Sequence, residues 1–516
     1  MVFRSPVVTQ TGRPLPECQC RRFNRDRNRR ATGNDWINLL MRTFSVSTRY
    51  RLMFINLAVV MLWILVGSVS AQQRDDLLAD PLAAMHQINP RLPKPLAIDL
   101  DKVAAHGIRA QVGKHLTVYT DARDRPDIDE LVQVFDLAVS QWCEYFAVEP
   151  SRTSAWHMRA FVMEDQLRFK NAGLFPADLP NFPAGYQRGS NIWIFVQPGN
   201  YYTRHLLLHE GTHAFMEWFL DGLGTPWYSE GIAEWLGLNQ WQSSTINRAA
   251  ELKINVQVRD RNETPYWGRI KIIRDDWSAG TPLTLQEMLD IPGPAFRDVR
   301  YYGWAWAGCE FLAKHPLSAA TFREFSRHAG QSESRFNRHV TTGLEQNWDL
   351  LAVDWLLFIS EMDYGIDVEK IRLVDATEVA AAGPPFRYSI RADRGWQTTA
   401  LHVKKGDRWR ISGIGRYQIG QSIVENQSRP WPCTAHGITM EYYRGRPLGI
   451  LLAGVWDPTQ ENPADRIKGL LQPITVGERF EVEIPFNGLL GLRINDSPAR
   501  MSDNEGALEV LIEKLR

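Results

Sequence analysis

The stretch that most constrains this chain is the apolar, helix-length run from His205 to Phe219, which contains His209-Glu210-Gly211-Thr212-His213. Residues four apart share a helix face, so His209 and His213 project side by side. Two imidazoles so placed can both reach one metal ion at about 2.0–2.1 Å, and zinc is the usual occupant. Glu210, next to the first ligand, is then placed to act as general base toward a water activated by that ion. Glycine inside a helix costs about 1 kcal/mol relative to alanine. Gly211 therefore reads as room for metal and substrate to approach rather than as a packing residue.

Downstream, Pro226-Trp227-Tyr228-Ser229-Glu230-Gly231-Ile232-Ala233-Glu234-Trp235 reads as a turn entering a second helix. Catalytic zinc takes three protein ligands and keeps a further position open. Glu230 completes such a set, and Glu234, one turn on, is placed to accept the spare N–H of a ligand histidine. The plainer alternative is two packed core histidines and a solvated helix face. A closed structural site would need a fourth ligand, and the sequence offers no well-placed histidine or cysteine for it.

H-E-G-T-H followed by W-x-x-E-G-x-A-E resembles the gluzincin metallopeptidases, the clan of thermolysin and the M1 aminopeptidases. The resemblance implies His209, His213 and Glu230 as zinc ligands, Glu210 as general base and Glu234 as support for a ligand histidine. Further on, Arg300-Tyr301-Tyr302-Gly303 opens another helix. M1-like enzymes place a tyrosine at the start of a comparable helix, where its hydroxyl stabilises the oxyanion. Tyr302 aligns best, with Tyr301 as the alternative and packing against an aromatic core as the plain reading. The interval from His213 to Glu230 is slightly shorter than in the aminopeptidases, so pocket shape does not carry over. No G-A-M-E-N-like segment is present, which favours endopeptidase action.

At 516 residues the chain is long enough for two to three domains, and its formal net charge of +0 excludes a global basic field for nucleic acid. The N-terminus is the exception, with eleven arginines against three acidic residues in 1–51. An apolar segment, Leu52–Val66, and a small-residue ending at Ala71 follow. These are the three parts of a secretory signal peptide, and Met41 offers an alternative start. An uncleaved membrane anchor is the rival reading of the same segment. Either places the rest of the chain outside the cytoplasm: secreted, periplasmic or on the cell surface. Beyond the leader only Cys143, Cys309 and Cys433 remain, too few and too far apart for a disulfide framework.

The expected fold class is α+β. Residues 72–375 form the metallopeptidase domain, with a small mixed sheet and helices. Strands are expected at 115–120, 158–163 and 191–196, with helices at 127–147, from near Tyr202, at 284–289, 300–312, 319–329 and 346–361. Strand 191–196 is either the edge that pairs with extended substrate or a buried central strand. A boundary is placed at 376–385, which ends in Gly-Pro-Pro. Short alternating runs then make residues 386–516 an antiparallel β-sandwich.

The segment Asn495-Asp496-Ser-Pro-Ala-Arg-Met-Ser-Asp503-Asn504 resembles the calcium loop of small bacterial galactose-binding lectins. That resemblance implies Asp496, Asp503 and Asn504 as Ca²⁺ ligands, and hard oxygen donors suit calcium. The alternative is a loop rich in Asp and Asn for turn chemistry alone. The combined expectation is a zinc peptidase acting on peptide or protein substrates, with an accessory domain that binds a glycan or the cell envelope. Its rival is a non-catalytic surface-binding protein with a metal-bearing pseudo-peptidase domain.

Overall fold

A computed structural model describes residues 96–380 and 383–515, all within one compact unit, Leu77–Arg516. The expected leader, 1–71, and residues 72–95 lie outside the described residues. The architecture is α+β, as the pattern predicts.

Five strands form the first sheet: β1 (Arg109–Val112), β2 (Leu116–Thr120), β3 (Met158–Met163), β4 (Gly185–Arg188) and β5 (Asn191–Phe195). Their order is β1-β2-β3-β5-β4, with β2, β3 and β5 parallel and the two outer strands antiparallel. Period-two alternation sends Val118, Ala160 and Ile192 to the large core and Tyr119, Phe161 and Trp193 to a smaller one. The sheet is thus covered on both faces, which explains its nearly continuous apolar strands. Residues 191–195 turn out to be interior, and the edge belongs to β4.

Helix α1 (Leu131–Phe146) and the motif helix α2 (Asn200–Phe219) pack on the large-core face. Helix α3 (Pro226–Gly237) follows, with Pro226 in its first turn where a missing N–H costs nothing. After α3 the chain is not purely helical. A two-stranded hairpin, β6 (Asn239–Gln242) with β7 (Glu251–Ile254), precedes α4 (Arg269–Ala279). Thr284 and Glu287 form the expected capping box, and α5 (Val299–Lys314) and α6 (Trp348–Ser360) complete the lobe's main helices.

Gly211 corrects one expectation. A Cβ there would lie 2.6 Å from the Trp142 ring and 2.8 Å from Phe135, both on α1. The glycine admits a neighbouring helix, not substrate.

The second region has a small three-stranded sheet beside two larger sheets that share one core, with Ile390, Ile411 and Val510 from one and Leu451 and Leu492 from the other. Its first strands, Val374–Asp375 and Thr377–Ala380, come before Pro385, so the sandwich begins upstream of the proline-rich segment. The first of these pairs in parallel with Gln397–Val403, an exception to the antiparallel pattern. The outer face of one sheet is covered by the helix Pro463–Leu471, whose Ile467 and Leu470 join Trp396 and Leu452 in the large core that contains α6. At the junction, Glu361 accepts a 2.7 Å hydrogen bond from Arg493 and another from the Tyr443 hydroxyl. Among the described residues no helix is long and apolar enough to cross a membrane.

Candidate metal centre

The centre is built where α2 meets α3. His209 Nε2 lies 3.2 Å from His213 Nε2, and Glu230 Oε2 lies 3.2 Å and 3.4 Å from these two nitrogens. All three residues are largely shielded from solvent. Two donors on a tetrahedral ion with bonds of about 2.0–2.1 Å sit roughly 3.3–3.4 Å apart, so the spacing fits zinc. With both Nε2 lone pairs turned to this point, a cation is the partner that would hold the three atoms together. His213 Nδ1 is 3.2 Å from Ser229 Oγ, a partner for its N–H when Nε2 is a ligand.

Glu230 shows the electrostatics. Burial would raise its pKa, but His213 and His209 beside it hold it down to about 2. Glu210 behaves oppositely. Burial pushes it up to about 8, with Glu230 and Glu234 adding to the rise and His213 opposing it. A dication beside it would lower that value. The Glu210 carboxylate lies against β4, where a Cβ on Gly185 would come 2.6 Å from Oε1.

Glu234 is buried behind His209 and His213. Its Oε1 is 3.6 Å from His209 Nδ1, longer than the hydrogen bond the spacing suggested. Its firm partners are Trp267 Nε1 at 2.9 Å and Arg269, which donates at 2.8 Å and 3.1 Å.

Of the two tyrosines, Tyr302 faces the centre. Its ring packs against His209 with centroids 6.1 Å apart and against Phe296 at 5.1 Å. Burial raises its pKa, and Glu230, Glu210 and Glu234 raise it further. Tyr301 instead packs on the core beneath Arg300.

Sequence reasoning missed Gly185, Ser229, Trp267 and Arg269, along with a role for His205. His205 carried a signal, since it lies four residues before His209. Ser229 stands beside Glu230 in the motif. Trp267 and Arg269 come from a distant segment and left none.

In the sandwich, Asp496 and Asn504 meet, with Asn504 Nδ2 2.9 Å from Asp496 Oδ2 and 3.0 Å from the Ala392 carbonyl. Asp496 also accepts from the Ser497 N–H at 2.6 Å. Burial raises the Asp496 pKa to about 6. Asp503 precedes Asn504 at the end of a short 3₁₀ turn. This set turns an amide NH₂, rather than an oxygen, toward the carboxylate. Asn504 Oδ1 is buried without a partner.

No protein-family model and no curated protein matches the chain. Among solved structures, one described as "EclA N-terminal domain; PllA-like lectin" is similar over 27% of this chain and 98% of that chain. Sequence identity there is 19% and the TM-score 0.18, too low to establish a shared fold. The gluzincin resemblance therefore rests on the motif residues and the geometry around them.

Proposed function

We propose that the chain is a zinc-dependent peptidase acting outside the cytoplasm. One observation carries the reading: His209 Nε2, His213 Nε2 and Glu230 Oε2 converge at 3.2–3.4 Å on one point, the spacing of three donors around a tetrahedral ion. Zinc held by these three residues supplies Lewis acidity toward the scissile carbonyl and acidifies water toward a pKa of about 7. Everything else falls to the chain's own groups. The open edge of β4 suits an extended peptide, whose backbone groups strand addition would satisfy. Gly185 on that edge leaves Glu210 within reach of such a peptide. Glu210 takes the proton of the attacking water as its oxygen adds to the carbonyl carbon. It returns that proton to the amine nitrogen as the C–N bond breaks. Tyr302 stays protonated and donates to the oxygen that gathers negative charge.

For the sandwich the proposal is coarser: a binding domain for a glycan or envelope ligand. Calcium enters at Asp496, Asp503 and Asn504 only if the Asn504 amide turns its oxygen inward.

The test is the zinc content of the full chain, wild type beside His213→Ala, with casein cleavage before and after chelation. The expectation is about one zinc per wild-type chain, lost in the variant, with cleavage that chelation stops. Glu210→Gln should lower cleavage by about 10²–10⁴ while keeping the metal. Zinc without cleavage would move the reading to a binding protein. A chain that takes up no zinc would sink it.

A further inference from the structure

Among the described residues, the metal-type donors form two clusters. Besides the set above, His205, His209 and Glu234 each bring a donor atom within 4.8 Å of the others, and all three are buried. His205 Nε2 stands 3.3 Å from Glu234 Oε2, and His209 Nδ1 stands 3.6 Å from Glu234 Oε1. His205 is completely buried, its Nδ1 has no hydrogen-bond partner, and its Nε2 faces Glu234. By donor type alone this is a place for a second divalent ion.

A cation is already there. The Arg269 guanidinium, itself buried, grips both Glu234 oxygens, Nη2 to Oε1 at 2.8 Å and Nε to Oε2 at 3.1 Å. Trp267 Nε1 takes a further position on Oε2 at 2.9 Å. A two-point fork of this kind fixes a carboxylate in orientation as well as charge. The other side of the guanidinium serves the opposite wall of the site. Its carbon lies 5.6 Å from the centre of the Tyr302 ring, and Nη2 is 3.5 Å from the Tyr202 hydroxyl.

We propose that Arg269 is the resident cation of this second cluster, a positioning residue that excludes a second divalent ion, holds Glu234 behind His209, and steadies Tyr302. The proposal rests on the zinc reading of the first cluster. Its physical basis is simple. A carboxylate as buried as Glu234 needs a compensating charge. A guanidinium supplies that charge without binding the imidazoles, which leaves His209 free to face the first ion only. Remove the guanidinium, and Glu234 with His205 becomes a ready ligand set.

The experiment is equilibrium zinc content of the full chain at buffered free zinc, for wild type, Arg269→Met, Arg269→Met with His205→Ala, and Arg269→Lys. Met fills much of the volume without the charge. Wild type should hold one ion, Arg269→Met two, and the double variant one again. If Arg269→Met folds only in excess zinc and then carries two ions, the proposal is equally supported. Arg269→Lys keeps the charge but not the fork, so it should fold and hold one ion with affinity weakened roughly 10- to 100-fold. One ion in Arg269→Met at every zinc level overturns the exclusion of a second ion, and wild-type affinity in Arg269→Lys overturns the positioning role. Absence of zinc from the wild type would instead remove the reading beneath both.

Discussion

The end of α2 that faces α3 and the sandwich loop Asp496–Asn504 hold comparable chemistry: buried carboxylates beside nitrogen-bearing side chains. In the first, two imidazole nitrogens and a carboxylate oxygen, from His209, His213 and Glu230, crowd to 3.2–3.4 Å around one point. In the second, the donors are supplied from within, by the Asn504 amide and the Ser497 N–H on Asp496. Residue types alone would score both as metal sites. What separates them is geometry: three donor atoms converge in the first, while in the second the carboxylate is already held by hydrogen bonds from its own loop.

The loop's closure has a support that can be cut. Arg493 donates to the Asp496 carbonyl at 2.7 Å while paired to Glu361 of the lobe. Glu361→Gln should cost about 3–5 kcal/mol in chemical denaturation, because it leaves Arg493 buried and uncompensated. The pH dependence follows from sign. Burial would raise the Glu361 pKa, but Arg493 and Arg444 lower it overall. A lowered carboxylate contributes stability that is complete above its unfolded value of about 4.3 and fades as pH drops below it. Wild type should therefore lose this contribution in acid, and Glu361→Gln should show a flatter profile there.

Zinc in thousand-fold excess over its dissociation constant should stabilise the wild type by about 4 kcal/mol in thermal melts. His213→Ala should gain nearly nothing. Next in size, Tyr302→Phe should reduce peptide cleavage by about 10²–10³ with zinc content unchanged. An equal loss in Tyr301→Phe would return the assignment to the alternative tyrosine. Calcium at about 1 mM should have the smallest effect, below about 0.5 kcal/mol, because a loop that already satisfies its own carboxylate should bind the ion no tighter than about 1 mM. A shift of several kcal/mol that Asp496→Asn removes would break the contrast and show that the Asn504 amide turns.

The parts of the fold that were legible in the sequence are those that covalent spacing dictates. His209, His213 and Glu210 share one helix, so their relation follows from helical pitch, and Glu230 and Glu234 follow from the next. Strands β2, β3 and β5 announced themselves as apolar runs. β4 did not: Gly185-Tyr186-Gln187-Arg188 has no apolar alternation and is a strand because β5 offers it a partner. The sandwich's first two strands were hidden similarly, since Val374–Asp375 is too short to show a period. Arg269 lies 35 residues from Glu234 in the chain, and nothing local marks a partner at that range. Gly211 was noticed, but its cause was assigned to the wrong neighbour, because a sequence shows that space is needed and not what fills it.

That glycine has a counterpart with a consequence for anyone moving this centre elsewhere. Gly231 follows Glu230 as Gly211 follows Glu210, and a Cβ on it would meet the Ala305 carbonyl oxygen at 2.5 Å. Bare backbone thus meters the gap between α2 and α1 and the gap between α3 and α5. Functional constellations tolerate displacements of only about 0.5 Å. Grafting His209, His213 and Glu230 onto two helices of another scaffold would copy the side chains and leave behind the spacing that makes them converge. The portable unit is four helices and two glycines.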